Sequence, residues 1–173
     1  WLEGAFPEAT WESNPSMYGP RSDKGGQCRF DIVGTWPSGF KTIVEVDGDQ
    51  HFDLRAYHAS ASVMANDATK EQWLLHATAP SACMIRVLQQ DVWEDRNGWQ
   101  RYLQTGIETE RHRFNRSLGD GTPYAPRIIR PIAPEYLGGV YAKFRTTTQP
   151  EYVRWNNQVV LNGGTLLEGC YDM

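Results

Sequence analysis

Cys28-Arg29-Phe30-Asp31-Ile32-Val33-Gly34-Thr35-Trp36 leads into Pro37-Ser38-Gly39, and Lys41-Thr42-Ile43-Val44-Glu45-Val46-Asp47 follows, closed by Gly48. Both runs are rich in β-branched and aromatic residues, and a short Pro/Gly turn joins them. They read as a β-hairpin. In the second run Ile43 neighbours Val44 as well as Glu45, which predicts burial on both faces until the strand's end and a place near the middle of a sheet. Working outward, Val63, Met64, Trp73, Leu74 and Leu75 with alanines between them predict a helix from Val63 to about His76, closed by Pro80. Cys83-Met84-Ile85-Arg86-Val87-Leu88 is a third, apolar strand. Asn97 to Arg116 is a helix with Trp99, Leu103 and Ile107 at spacing four and charged residues on its other faces, ended by Gly119-Asp120-Gly121-Thr122-Pro123. Residues 1–26 read as an irregular N-terminal segment with at most one short helix. Arg127–Ile132, Val140–Thr146 and Val159–Leu161 are further strand candidates. The order β-β-α-β-α with a β-leaning C-terminal extension predicts a mixed-sheet α/β domain.

Composition narrows the classes. The chain has 173 residues, 40% apolar, with 7 Trp, 8 Tyr and 6 Phe and a net charge of −4, which excludes global disorder. No run approaches the roughly 18 uninterrupted apolar residues of a spanning helix, so no membrane is expected. No basic-then-apolar leader opens the sequence. Cys28, Cys83 and Cys170 are widely spaced and resemble neither a disulfide framework nor a zinc knuckle, which points to a reducing, intracellular setting, cytoplasm or nucleus. Charge is divided unevenly: residues 1–95 carry 7 Lys/Arg against 14 Asp/Glu, and residues 96–154 carry 10 against 5. A polyanion-binding protein with an acidic, metal-holding centre divides its charge in this way, and so does a protein with one basic helix.

The carboxylates of the hairpin are the chemically informative group. Asp31 is followed, after 13 intervening residues, by Glu45-Val46-Asp47-Gly48-Asp49-Gln50-His51. Strand side chains alternate, so Glu45 and Asp47 share a face, and Asp31 on the partner strand is within reach of it. Three converging carboxylates repel one another unless a cation neutralises them, and an all-oxygen set suits Mg²⁺ or Mn²⁺. Acids at strand ends are also commonly just solvated, and spacing alone leaves both readings open. If the acids do crowd together, removing one relieves repulsion, and stability without metal should hold or rise.

An Asp at a strand end, a hairpin of this length and then Glu-x-Asp-Gly-x-Gln-His resembles the PD-(D/E)XK nuclease superfamily. The likeness is to the branch of very-short-patch-repair-like and EDxHD homing endonucleases. Asp67-Ala68-Thr69-Lys70 resembles that branch's charged helix, and Cys83–Leu88 followed by Asp91-Val92-Trp93 resembles its next strand and turn. The likeness covers about residues 27–118, the nuclease core, and leaves 119–173 as an extension. It implies a restriction-endonuclease-like core of β-hairpin, helix, strand and helix, and a Mg²⁺- or Mn²⁺-dependent endonuclease acting on double-stranded DNA, with a homodimer admitted. Asp31, Glu45 and Asp47 would be the metal ligands, and Gln50 and Asp67 complete the motif. The superfamily places a lysine two residues after the glutamate, where this chain has Asp47. The lysine's task, positioning or deprotonating water and offsetting phosphate charge, then falls to Lys70 or His51. A catalytically silent nucleic-acid-binding module that kept the fold is the alternative the missing lysine supports.

Phosphate contacts are assigned to Arg101, Arg111, Arg113 and Arg116 on the basic helix, with Arg127, Arg130, Lys143, Arg145 and Arg154 beyond it. The interleaved Tyr124, Tyr136, Tyr141, Phe144 and Trp155 either meet nucleic acid or complete a core.

Overall fold

A computed structural model describes residues 1–15, 19–21, 25–48, 66–76, 81–95 and 98–130, with 61–65 as backbone only. Gln50, His51, Pro80 and everything after Arg130, including the strand candidates at 140–146 and 159–161, lie outside the described residues.

The hairpin forms as its sequence dictates. β2 (Ile32–Thr35) and β3 (Lys41–Asp47) pair antiparallel, Thr35 opposite Lys41 and Ile32 opposite Val44. Pro37 opens the turn. Gly39, at φ +82, returns its N–H to the Trp36 carbonyl at 2.9 Å, a left-handed conformation that favours glycine. β1 (Thr10–Ser13) adds to β2 as an antiparallel edge, where sequence reading expected irregular chain. Three of its four residues are exposed, so the edge carries no alternation to read. Its anchor is Trp11, which lies across Gly34: a Cβ there would sit 2.5 Å from the indole.

From β3 the chain crosses through α2 (Ala61–His76) to β4 (Ala82–Leu88), which lies parallel to β3 in the register Glu45 opposite Arg86. After α3 (Gln89–Trp93), α4 (Trp99–Asp120) returns the chain to β5 (Ile128–Ile129), parallel to β4. Parallel neighbours need such crossovers, and helices covering both faces explain why all seven residues of β4 are buried. The result is a mixed five-stranded sheet in the order β1-β2-β3-β4-β5, an α/β fold with β3 central. A short α1 (Leu2–Ala5) precedes the sheet. α4 runs four residues past the expected end at Arg116, through Gly119, and stops where Gly121 turns left-handed at φ +71.

The sheet has two cores. On one face Val44, Cys83, Ile85 and Val87 meet Leu103, Ile107 and Phe114 of α4, with Phe6, Trp36 and Phe40 at the margin. On the other, Phe30, Val33, Ile43, Met84 and Ile128 meet Leu74 of α2. Glu45 and Asp47 alternate in step with Ile43, and Arg86 with Met84, so the charged residues of β3 and β4 face α2. Among the described residues no helix is long and apolar enough to cross a membrane.

Candidate active site

Asp31 and Glu45 are tied across the hairpin by reciprocal bonds. The Asp31 Oδ2 accepts from the Val46 N–H at 2.8 Å, and the Asp31 N–H donates to Glu45 Oε1 at 3.2 Å. Packing of Leu74 sets the rotation of α2 on the sheet and brings Lys70 to the other side of Glu45. The Lys70 ammonium donates to Glu45 Oε2 at 2.6 Å, with its stem passing the Phe30 ring. Glu45 is 1% exposed. Burial pushes its carboxyl up to about 7; the Lys70 charge pulls it down and the Asp31 charge pushes it up again. The residue two after Glu45 is Asp47 and not a lysine, yet an ammonium stands beside Glu45, delivered from the helix.

Asp47, predicted to be the third ligand, is placed differently. Both its oxygens accept from Arg86, Oδ2 from Nε and Oδ1 from Nη2, each at 2.6 Å. Arg86 also meets Asp67 Oδ2 at 3.1 Å and Glu71 Oε1 at 2.7 Å, while Glu71 Oε2 meets Arg130 Nη2 at 2.5 Å. Burial opposes the Arg86 charge, but Asp47, Asp67 and Glu71 overcome that and hold its pKa above the ordinary arginine value. Asp47 and Asp67 therefore belong to a buried ionic cluster beside the Asp31–Glu45–Lys70 group. The bidentate contact takes one lone pair on each Asp47 oxygen and sets the Arg86 charge 2.6 Å away, so a cation on Asp47 would have to compete with that charge.

The expectation that deleting a carboxylate relieves repulsion divides. Lys70 compensates Glu45 and Arg86 compensates Asp47, so deleting either acid would strand a buried cation, whereas the Asp31 charge still opposes that of Glu45. Arg86 and Glu71 went unassigned in the sequence reading, and Arg130, read there as a phosphate contact, is buried against Glu71; an arginine inside an otherwise apolar strand is a signal that acids must surround it.

Among the described residues no three His, Cys, Asp or Glu side chains group so as to hold a metal ion. The acceptors that suit a divalent cation are a pair: Asp31, whose Oδ1 takes no hydrogen bond among the described residues, and Glu45, whose Oε1 is only weakly held at 3.2 Å. Mg²⁺ keeps several waters and commonly takes only one or two carboxylates, so Asp31 and Glu45 fit it and Asp47 does not.

The basic helix lies on the opposite face of the sheet, and two of its arginines are committed within the chain. Arg111 stacks on Trp36, its guanidinium carbon 3.6 Å from the ring centroid, and pairs with Glu8 at 2.9 Å. Arg113 pairs with the fully buried Glu110, whose Oε2 also accepts from the Tyr124 hydroxyl at 2.6 Å. Arg101 and Arg116 are exposed, Arg116 with an Nη 3.2 Å from His112 Nε2. Of the four arginines assigned to phosphate, Arg111 and Arg113 are thus engaged within the chain, and Arg101 and Arg116 are the exposed ones. Tyr124 completes a core, stacking edge-on against Phe40 and Phe114. Cys83 is buried, and burial pushes its thiol far above the range of a nucleophile.

Compared with protein-family models, with curated proteins and with solved structures, the chain finds no match. The chemistry rests on its own residues.

Proposed function

We propose that the chain is a divalent-cation-dependent phosphodiester hydrolase acting on DNA, resembling a PD-(D/E)XK nuclease. The observation that carries this reading is the Lys70 ammonium 2.6 Å from Glu45, with Asp31 locked against the same strand. Acid, acid and lysine stand together, although the lysine comes from α2 and not from β3. The succession of hairpin, helix, strand and helix supports the same reading.

Asp31 and Glu45 would hold the Mg²⁺, which when bound supplies Lewis-acid polarisation of a phosphoryl oxygen and neutralises developing charge. Lys70 offsets negative charge on the phosphate while orienting the attacking water through the Glu45 contact. The water oxygen bonds to phosphorus and passes a proton to solvent, the bond from phosphorus to the 3′ oxygen breaks, and that oxygen takes a proton from solvent water. The Phe30 ring centroid lies 5.6 Å from the ammonium and gives it an apolar neighbour on the side facing the core. Supercoiled plasmid incubated with Mg²⁺ or Mn²⁺ is expected to give nicked or linear product that chelator abolishes; intact plasmid with both cations overturns the proposal. The engagement of Asp47 by Arg86 favours a second reading, a nucleic-acid-binding module without catalysis. Retained DNA binding with no heat of Mg²⁺ binding would support that one.

Proton linkage gives an independent check. Only the ionised Glu45 takes a cation, so with its pKa at about 7 Mg²⁺ affinity should rise as pH increases from 5 and level off above 7. The rise is at most about tenfold per pH unit. Calorimetry in buffers of different ionisation enthalpy should find close to one proton released at pH 6 and almost none at pH 8.5. Stability without cation runs the other way. The folded chain binds the Glu45 proton more tightly than the unfolded chain, so this contribution falls as pH climbs from the ordinary glutamate value of 4.5 to about 7.

A further inference from the structure

We propose that Arg86 and Glu71 are positioning residues for Lys70: the ionic cluster on β4 fixes α2 on both sides of the lysine and so holds its ammonium on Glu45. The proposal rests on the reading of Glu45 and Lys70 as working groups and adds what keeps them in place.

Asp67, Lys70 and Glu71 occupy positions i, i+3 and i+4 of α2 and share one face. Arg86 reaches Asp67 at 3.1 Å and Glu71 at 2.7 Å, so one rigid guanidinium grips the helix a turn before the lysine and directly after it. Its other edge is anchored by Asp47 at 2.6 Å, on the strand that carries Glu45 two residues earlier. Glu71 is gripped again by Arg130, the residue that follows β5, at 2.5 Å. β3, β4 and the residue after β5 therefore fix the register of α2 through groups that are all buried: Arg86 is 1% exposed, Asp47 3%, Asp67 2% and Glu71 7%. A lysine stem has four rotatable carbons and would not hold a 2.6 Å contact on a helix free to slide. Asp47, standing where the superfamily has its lysine, is in this arrangement the anchor of the device that imports a lysine from the helix. An ionic cluster also suits positioning because its directional bonds specify one placement where apolar contact alone permits several.

The test uses Glu71→Gln, which keeps the shape of the side chain and leaves Arg86 compensated by Asp47 and Asp67. Asp67→Asn is the second variant should the first not fold. The cation-free protein labelled with ¹⁵N is examined for the Lys70 ammonium resonance, which a buried, hydrogen-bonded –NH₃⁺ shows and a mobile one loses by exchange; Lys70→Arg assigns it. Expected are a resolved resonance in the wild type and its loss or broadening in the variant, both recorded well below the melting temperature of the variant. The expected kinetic effect is a fall in kcat of about tenfold to a hundredfold with KM within twofold, since displacement of a working group by about 1 Å costs that much. Arg130→Lys, which keeps a cation on Glu71, should retain the resonance. A variant that melts lower yet keeps the resonance and kcat overturns the proposal and makes the cluster a clamp of stability alone. Wild type that cleaves no DNA but whose resonance is lost in Glu71→Gln overturns the hydrolase reading and leaves the positioning upheld.

Discussion

Asp31→Asn and Glu45→Gln are each expected to lower plasmid cleavage by roughly 10²–10³-fold, the usual loss when one preorganised electrostatic group leaves an active site. Both variants should melt within a few degrees of the wild type. Asparagine keeps an oxygen to accept from the Val46 N–H, which the carboxylate of Asp31 now does at 2.8 Å. Glutamine keeps an oxygen for the Lys70 ammonium and loses only the charge that would attract a cation. Alanine at position 45 is the poorer probe. It would leave the Lys70 ammonium, 8% exposed, without its acid, and the desolvation penalty would then be confused with lost chemistry. The measurement pairs initial rates on supercoiled plasmid in Mg²⁺ with thermal unfolding, and cation affinity by calorimetry should fall in both variants. Cleavage retained in either one would put the reacting centre elsewhere in the chain.

The elements that were legible are those whose burial is decided locally. β3 begins and ends where its apolar run does, at Lys41 and Asp47, because both its faces are covered and Gly48 stops it. β4 and the Leu103 and Ile107 positions of the α4 stripe were legible for the same reason, while Trp99 of that stripe is only half-buried and Phe114 joins the core without having been assigned to it. β1 was not: an exposed edge strand is specified by the partner it pairs with, and its one clear determinant is the room that Gly34 leaves for Trp11.

The site divides in the same way. That Asp31 and Glu45 meet follows from hairpin pairing, which is short-range. Which of Asp47, Asp67 and Lys70 joins them depends on the rotation of α2 over the sheet and on a parallel strand 39 residues from Asp47, and neither has a local signature. The clue was Arg86, a guanidinium in the middle of Cys83–Leu88, which needs acids on facing elements and takes them from β3 and α2. On the basic helix, charge at helical spacing looks alike whether it faces phosphate or acids of the same chain, and Arg111 and Arg113 meet Glu8 and Glu110.

Arg86→Met is expected to be the most destabilising single substitution on the α2 face, by about 3–5 kcal/mol, the range for breaking a buried ionic group by removing one partner. Methionine approximates the volume of the stem but takes from Asp47, Asp67 and Glu71 the charge they share, while Arg130 stays on Glu71. For a chain of this length about 1 kcal/mol moves the melting temperature by about 2–4 °C, so a fall on the order of 10 °C should appear. Asp47→Asn removes one acid of three and keeps an acceptor for Arg86, so it should cost less, about 1–3 kcal/mol. A double-mutant cycle over the two substitutions should return a coupling well above the error of additive sites, because they share one bidentate contact at 2.6 Å. The same Asp47→Asn protein separates the two assignments of this residue. As an anchor of Arg86 it should lose stability while binding Mg²⁺ nearly as the wild type does, because Asp31 and Glu45 keep their charges. If Asp47 were instead a ligand, Mg²⁺ affinity would fall as steeply as in Glu45→Gln, and the division of these carboxylates into a cation-holding pair and an ionic anchor would be wrong.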